Sequence, residues 1–120
     1  MSVRLFCLAG ATALLPSGAA LAQAAPPAWA KCSVCHVAAS GKPSTIGPNL
    51  WGVVGRKSAT VPGYSYSPAM KKLGTVWTAA KLDTYLAKPM TFVPGTKMIF
   101  AGLPDAKQRA DLIAYLQKLK

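Results

Sequence analysis

Cys32-Ser33-Val34-Cys35-His36 is the stretch whose reading decides the fold of this chain. On a helical turn, residues three and four apart share a face, so Cys32 projects alongside both Cys35 and His36. Two thiols with an imidazole beside them fit covalent attachment of a haem. The thiols add to the two vinyl groups on one ring edge, and the imidazole reaches over the ring to the iron. Three other readings use the same residues. A disulfide oxidoreductase also carries C-x-x-C, with Trp29 upstream faintly like such sites, but it needs a βαβ framework that the rest of the chain does not offer. Structural zinc needs four nitrogen or sulfur ligands, and downstream of Cys7 the chain holds only these two cysteines and one histidine. A plain disulfide leaves His36 without a role.

Composition narrows the field from the other side. The chain has 120 residues, which predicts one domain. Its net charge of +11 comes from a shortage of acids, 3 against 14 basic residues, all of them Asp. Charged residues are only 14% and apolar ones 52%, a balance that excludes intrinsic disorder. A single His excludes multi-histidine metal sites, bis-histidine ligation and a Cys2His2 finger. The basic balance comes with no nucleic-acid recognition motif, so nucleic acid is not an expected partner.

The first stretch reads as a targeting segment. Arg4 gives a short positive start, Leu5 to Leu15 is apolar, Pro16-Ser17-Gly18 breaks the run, and Ala20-Leu21-Ala22 supplies small residues in the A-x-A arrangement. This predicts a secretory signal peptide over 1–22, cleaved after Ala22 or alternatively after Ala24. A membrane anchor needs about 20 apolar residues, and this run is shorter and broken. Removal takes Cys7 and one positive charge with it, leaves 23–120 as the mature domain, and implies export to the periplasm with no stable membrane insertion.

The remainder predicts an all-α chain with long loops. Pro26-Pro27 suits the start of a short helix running into the cysteine pair. Val37 to Tyr66 is dense in Gly, Pro, Ser and Thr and reads as irregular loops. Ser67-Pro68 caps and opens a short helix that Gly74 closes. Thr78 caps the next, with Leu82, Tyr85 and Leu86 on one face until Lys88-Pro89 stops it. Pro89 to Gly102 reads as loop. The last helix begins at Pro104-Asp105, Gln108 fits a capping box, and Leu112, Ile113, Tyr115, Leu116 and Leu119 form an apolar stripe. With about half of the mature chain in loops, side chains alone supply little core, and domains of this size need a disulfide, a metal or a cofactor as a staple.

Further elements follow the cysteine pair in a fixed order: Gly47-Pro48-Asn49-Leu50, Gly52-Val53-Val54-Gly55-Arg56-Lys57, Pro62-Gly63-Tyr64-Ser65-Tyr66-Ser67, Trp77, and Pro94-Gly95-Thr96-Lys97-Met98-Ile99-Phe100-Ala101-Gly102. With this series the chain resembles a class I c-type cytochrome, of the mitochondrial and bacterial cytochrome c family, over nearly all of residues 29–120. The resemblance implies a small cytochrome c fold around one covalently bound haem c per chain. It also implies a soluble, monomeric one-electron carrier, not an enzyme.

Composition alone leaves Met70, Met90 and Met98 open as a second axial ligand, and a buried Met is more often core filler. The resemblance selects Met98, opposite His36, with Met70 as packing and Met90 as packing or surface. It further implies that Pro48 accepts the proton of His36 Nδ1, that Arg56, Tyr66, Trp77 and Thr96 hold the haem propionates or pocket, and that Tyr85 lies near the Met98 sulfur. Its partners are redox proteins with acidic docking faces: a quinol–cytochrome c oxidoreductase as donor, and an oxidase, a reductase or a photosynthetic centre as acceptor. Lys31 and Lys97 are the expected docking lysines. Two departures stand out. Met70 replaces an Asn on the short helix, and the N-terminal helix is abbreviated, with Trp29 expected to supply an aromatic contact to Leu112 or Tyr115.

Overall fold

The computed structural model describes residues 24–120, so the leader expected over 1–22 lies outside the described residues. A 3-10 helix, Pro27–Lys31, opens the fold. Four α-helices follow: α1 (Pro68–Leu73), α2 (Ala79–Ala87), α3 (Pro89–Phe92) and α4 (Ala106–Gln117). Among the described residues the only extended pairing is an isolated bridge between Lys57 and Val76, and no helix is long and apolar enough to cross a membrane.

Local chemistry accounts for the helix ends. Ser67 Oγ accepts from Met70 N at 3.1 Å, Thr78 Oγ1 from Lys81 N at 3.2 Å, and Asp105 Oδ1 from Gln108 N at 2.9 Å. Each satisfies one of the amides that a helix start leaves without a partner. Of the capping box at α4, the Asp105 half is formed. The N-terminal segment is a 3-10 helix and not an α-helix. Its turns carry on through the cysteines, where Cys32 O accepts from Cys35 N at 3.0 Å and from His36 N at 2.9 Å.

One expectation is corrected. The segment after Lys88 is not loop from its start: Pro89 opens one further helical turn, α3. Lys88 breaks α2 with φ −148°, and Pro89, which needs no amide partner at a first helical position, restarts the helix in a new direction. Phe92 at its end joins an aromatic group with Trp77 and Tyr85, at centroid distances of 6.2 and 5.9 Å.

α4 packs on both α2 and the 3-10 helix, and α2 on α3. Leu112, Ile113 and Leu116 are buried where α4 meets Leu82 and Leu86 of α2. Trp29 meets Tyr115 at 5.6 Å, which makes the aromatic contact expected of the shortened N-terminus.

Arg109 is the fastener that the apolar pattern conceals. Its Nε donates to Asp83 Oδ1 at 2.8 Å, and its Nη1 donates to the carbonyls of Leu103 at 2.7 Å and Pro104 at 3.0 Å. One rigid fork thus joins α4 to α2 and to the end of the 94–104 loop. Leu103 is fully buried there, its N–H bound to Leu86 O at 2.8 Å. Gly102, at φ 108°, makes this approach: a methyl at that position would overlap the Ala87 carbonyl. We predict that Arg109→Ala lowers folding stability by about 2 kcal/mol, the scale of hydrogen bonds to a charged donor. Arg109→Lys should recover only part of this, because an ammonium lacks the fork. Urea midpoints of the three proteins measure it.

Candidate functional site

A cavity of about 400 Å³ with largely apolar walls lies inside the loops. All ten residues singled out in the sequence line it: Cys32, Cys35 and His36 from the N-terminal segment, Pro48 and Arg56 from the first loops, and Tyr66, Trp77, Tyr85, Thr96 and Met98. Met70 lines it as well. Met90 does not, and it is 59% exposed on α3, so the structure resolves its role as surface.

On the imidazole side the geometry is set by backbone. His36 Nδ1 lies 2.8 Å from the Pro48 carbonyl. A carbonyl only accepts, so Nδ1 carries the proton and Nε2 keeps its lone pair. Burial pulls the His36 pKa below its ordinary value, and the Pro48 bond opposes that shift. The neutral, ligand-ready imidazole is therefore the favoured form near pH 7.

Pro48 is held in place by its neighbour. Buried Asn49 donates from Nδ2 to the Ala39 and Lys42 carbonyls at 2.7 and 2.8 Å, and its Oδ1 accepts from Trp51 N at 2.9 Å. Its own amide donates to Ser44 Oγ at 3.0 Å. Gly47 completes the arrangement: its N–H donates to Cys35 O at 2.7 Å, and a Cβ there would overlap Cε1, Nδ1 and Nε2 of the imidazole. The sequence reading assigned no role to Asn49 or Gly47. Their signal was present only as the Gly-Pro-Asn run.

The opposite wall carries Met98. Tyr85 Oη donates to its sulfur at 3.8 Å, and Met98 N donates to Thr96 Oγ1 at 3.4 Å. Burial raises the Tyr85 pKa, so its hydroxyl stays a donor. Trp77, almost fully buried, packs against Tyr85 with the rings tilted by 43° and their centroids 4.9 Å apart.

Arg56 donates through Nη1 to the carbonyls of Asn49 at 3.1 Å and Trp51 at 3.0 Å, and burial lowers its pKa. Tyr66 Oη accepts from Val61 N at 3.1 Å.

A strap unforeseen in the sequence crosses between the two sides. Lys97 Nζ bonds the Ser65 carbonyl and lies 5.0 Å from the Tyr64 ring centroid, and Tyr64 Oη donates to Ile46 O at 3.0 Å.

The two thiols are not joined to each other, and both are half-buried on the cavity. Burial, then the neighbouring Cys35, raises the Cys32 pKa, against a smaller opposite effect of Lys31. Among the described residues no three His, Cys, Asp or Glu side chains gather to hold a metal ion. The donors that converge are instead one imidazole nitrogen, one thioether and two thiols around an apolar space. That set fits a haem with two thioether links and nitrogen–sulfur axial ligation. The glycine cradle over the imidazole fits it too.

A family model described as Cytochrome c matches residues 17–120. The chain belongs to the cytochrome c family. It is 57% identical over 83 residues to cytochrome c of Trypanosoma brucei brucei, covering 69% of this chain and 89% of that one. It is 51% identical over 89 residues to cytochrome c2 of Rhodopila globiformis, covering 74% and 83%. The fold matches cytochrome cH from Methylobacterium extorquens with a TM-score of 0.70 at 45% identity, over 75% of this chain and 90% of that one. It is therefore a class I c-type cytochrome that binds haem c covalently and serves as a haem-containing electron carrier.

The cradle in this cytochrome makes a prediction. Gly47→Ala should displace the imidazole from Pro48 and lower the haem-to-polypeptide ratio of the purified protein well below that of the parent. Equal haem content with an unaltered Soret spectrum would show that the loop yields without cost.

Proposed function

We propose that the cavity holds haem c through thioether links at Cys32 and Cys35, with His36 and Met98 as axial ligands from opposite sides. Haem c supplies the Fe(III)/Fe(II) couple. The observation that carries this assignment is that His36 and Met98, 62 positions apart, line one cavity with the two cysteines. His36 offers Nε2 because Nδ1 is committed to Pro48, a partner that also fixes the ring and raises its basicity. Met98 offers a soft thioether, and the Tyr85 hydroxyl holds its sulfur in place. Arg56, Tyr66, Trp77 and Thr96 hold the propionates or the pocket around them, since a carboxylate in such a site costs several kcal/mol without donors.

With His36 Nε2 and the Met98 sulfur both bound to it, the iron would have no position open to oxygen or peroxide. With the same two ligands kept in both oxidation states, little would have to rearrange when the charge changes, which suits one-electron relay and not bond-making chemistry. The histidine–methionine pair favours the reduced state and raises the potential.

The route is a shuttle between a membrane-bound donor such as a quinol–cytochrome c oxidoreductase and an oxidase, reductase or photosynthetic acceptor. The carrier works as a soluble monomer in the periplasm after residues 1–22 are removed. The basic balance of the chain supports acidic docking faces on these partners, and Lys31 and Lys97 at the cavity rim are the lysines best placed to meet them.

Met98→Ala tests the ligand assignment. It should abolish the thioether-to-iron charge-transfer band, lower the potential and create peroxidase activity. An unchanged spectrum would pass the ligand role to Met70, the other thioether on the cavity. Docking has its own test. Association with an acidic redox partner should slow as ionic strength rises, but less steeply than in mitochondrial relatives, because Leu103-Pro104-Asp105-Ala106 stands where they carry a lysine run. A rate independent of salt would remove electrostatic steering from the mechanism.

A further inference from the structure

A second cleft, of about 490 Å³ and more open to solvent, lies between loop 41–44 and loop 60–62. Each loop is braced by its own bonds. Asn49 Nδ2 holds the Lys42 carbonyl at 2.8 Å. Across the gap, Val61 N donates to Tyr66 Oη at 3.1 Å and Thr60 Oγ1 to the Lys57 carbonyl at 2.6 Å. Among the described residues no hydrogen bond runs directly from 41–44 to 60–62. The cleft is therefore held open by two separately fixed walls.

Those walls are largely apolar, formed by Pro43, Trp51, Val61 and Pro62, while its charges are Lys42 and Arg56. No Asp or Glu occurs before Asp83, and the three carboxylate side chains are all engaged on the α2–α4 frame. The cleft thus has two cations and no carboxylate side chain to balance them. Arg56 also lines the first cavity, so the two spaces share one guanidinium. Its Nη1 serves the Asn49 and Trp51 carbonyls, whereas Nε and Nη2 have no protein acceptor among the described residues. A guanidinium offers its N–H donors in a fixed plane, so those that remain can meet oxygens from either space.

We propose that this cleft binds a small carboxylate with an apolar ring, its oxygens on Arg56 and Lys42 and its ring against Trp51 and the prolines, and that Arg56 couples this anion to the haem. The coupling rests on the assignment of Arg56 to a haem propionate given above. A carboxylate matches the planar fork, and apolar walls favour a ring over a compact inorganic anion. Once bound, it draws donors away from the propionate and adds negative charge on the haem side, so it favours the ferric state. By linkage, the ferric protein binds it more tightly by the same factor.

The test uses the haem-loaded protein and benzoate as the probe, with acetate at equal ionic strength as the reference anion. Benzoate should shift the amide signals of Trp51 and Thr60 saturably in the ferrous protein, and acetate should do so only at much higher concentration. Saturating benzoate should lower the midpoint potential by about 30 mV, which is threefold tighter ferric binding at 59 mV per decade. Lys42→Glu, at an exposed position, should weaken benzoate about tenfold, the scale of one charge-assisted contact. Trp51→Leu should weaken it about fivefold through the lost ring contact. Well-dispersed amide spectra of both variants ensure that affinity is read on folded protein. No saturable shift, equal affinity for benzoate and acetate, or unaltered affinity in Lys42→Glu overturns the cleft as a site and leaves the propionate assignment standing. Saturable binding with an unmoved potential overturns the coupling, and with it Arg56 as the propionate's partner.

Discussion

Two short segments, 32–36 and 96–98, must face each other across one apolar space, and the rest of the fold is arranged to hold them there. Neither segment is in an α-helix. The helices act as a frame: α4 crosses α2, and Leu82, Leu86, Leu112 and Leu116 turn their side chains to the cavity and not only to one another. A chain with this much loop has little apolar surface to spare for a core of its own. The prosthetic group completes the core that side chains begin, and Val53, Trp77, Leu82, Tyr85, Leu86, Leu112 and Leu116 belong to both the core and the cavity wall.

Charge follows the same division. All three carboxylates belong to the α2–α4 frame. Asp83 pairs with Arg109, Asp111 with Lys107, and Asp105 caps α4. The Lys107–Asp111 pair is exposed and adds little to stability. The three aspartates thus sit on the frame, two paired with bases and one capping a helix, while Lys31 and Lys97 stand at the cavity rim. In the docking proposed above, these lysines would draw an acidic surface toward that rim.

Much of this was legible in the sequence because its causes are local. Ser67, Thr78 and Asp105 cap the helices they precede, since a cap needs only its own first turn. The ten residues singled out in the sequence all line the cavity, because a fixed order of motifs carries them to it. What was missed depends on contacts between distant segments. Arg109 reads as a surface cation on α4 until the Leu103 and Pro104 carbonyls are seen beside it. Gly47 reads as a loop breaker until the imidazole is found against its α-carbon. Pro89 reads as a stop, and it both stops α2 and starts α3.

The two sides of the cavity are built to different stiffness. The imidazole side is fixed by Asn49, which engages four partners between 2.7 and 3.0 Å, and by the short Gly47–Cys35 and Leu50–Val37 backbone bonds at 2.7 and 2.8 Å. The Met98 side relies on a 3.4 Å bond to Thr96, one phenol-to-sulfur contact and the Lys97 strap, while Ile99 next to it is fully exposed. Segments with few buried contacts open at lower free energy than the regions packed around them. In the ligation proposed above, the histidine would thus be the firmer attachment and the methionine the adjustable one. The loop that carries the Met98 sulfur is therefore where the cavity wall yields first.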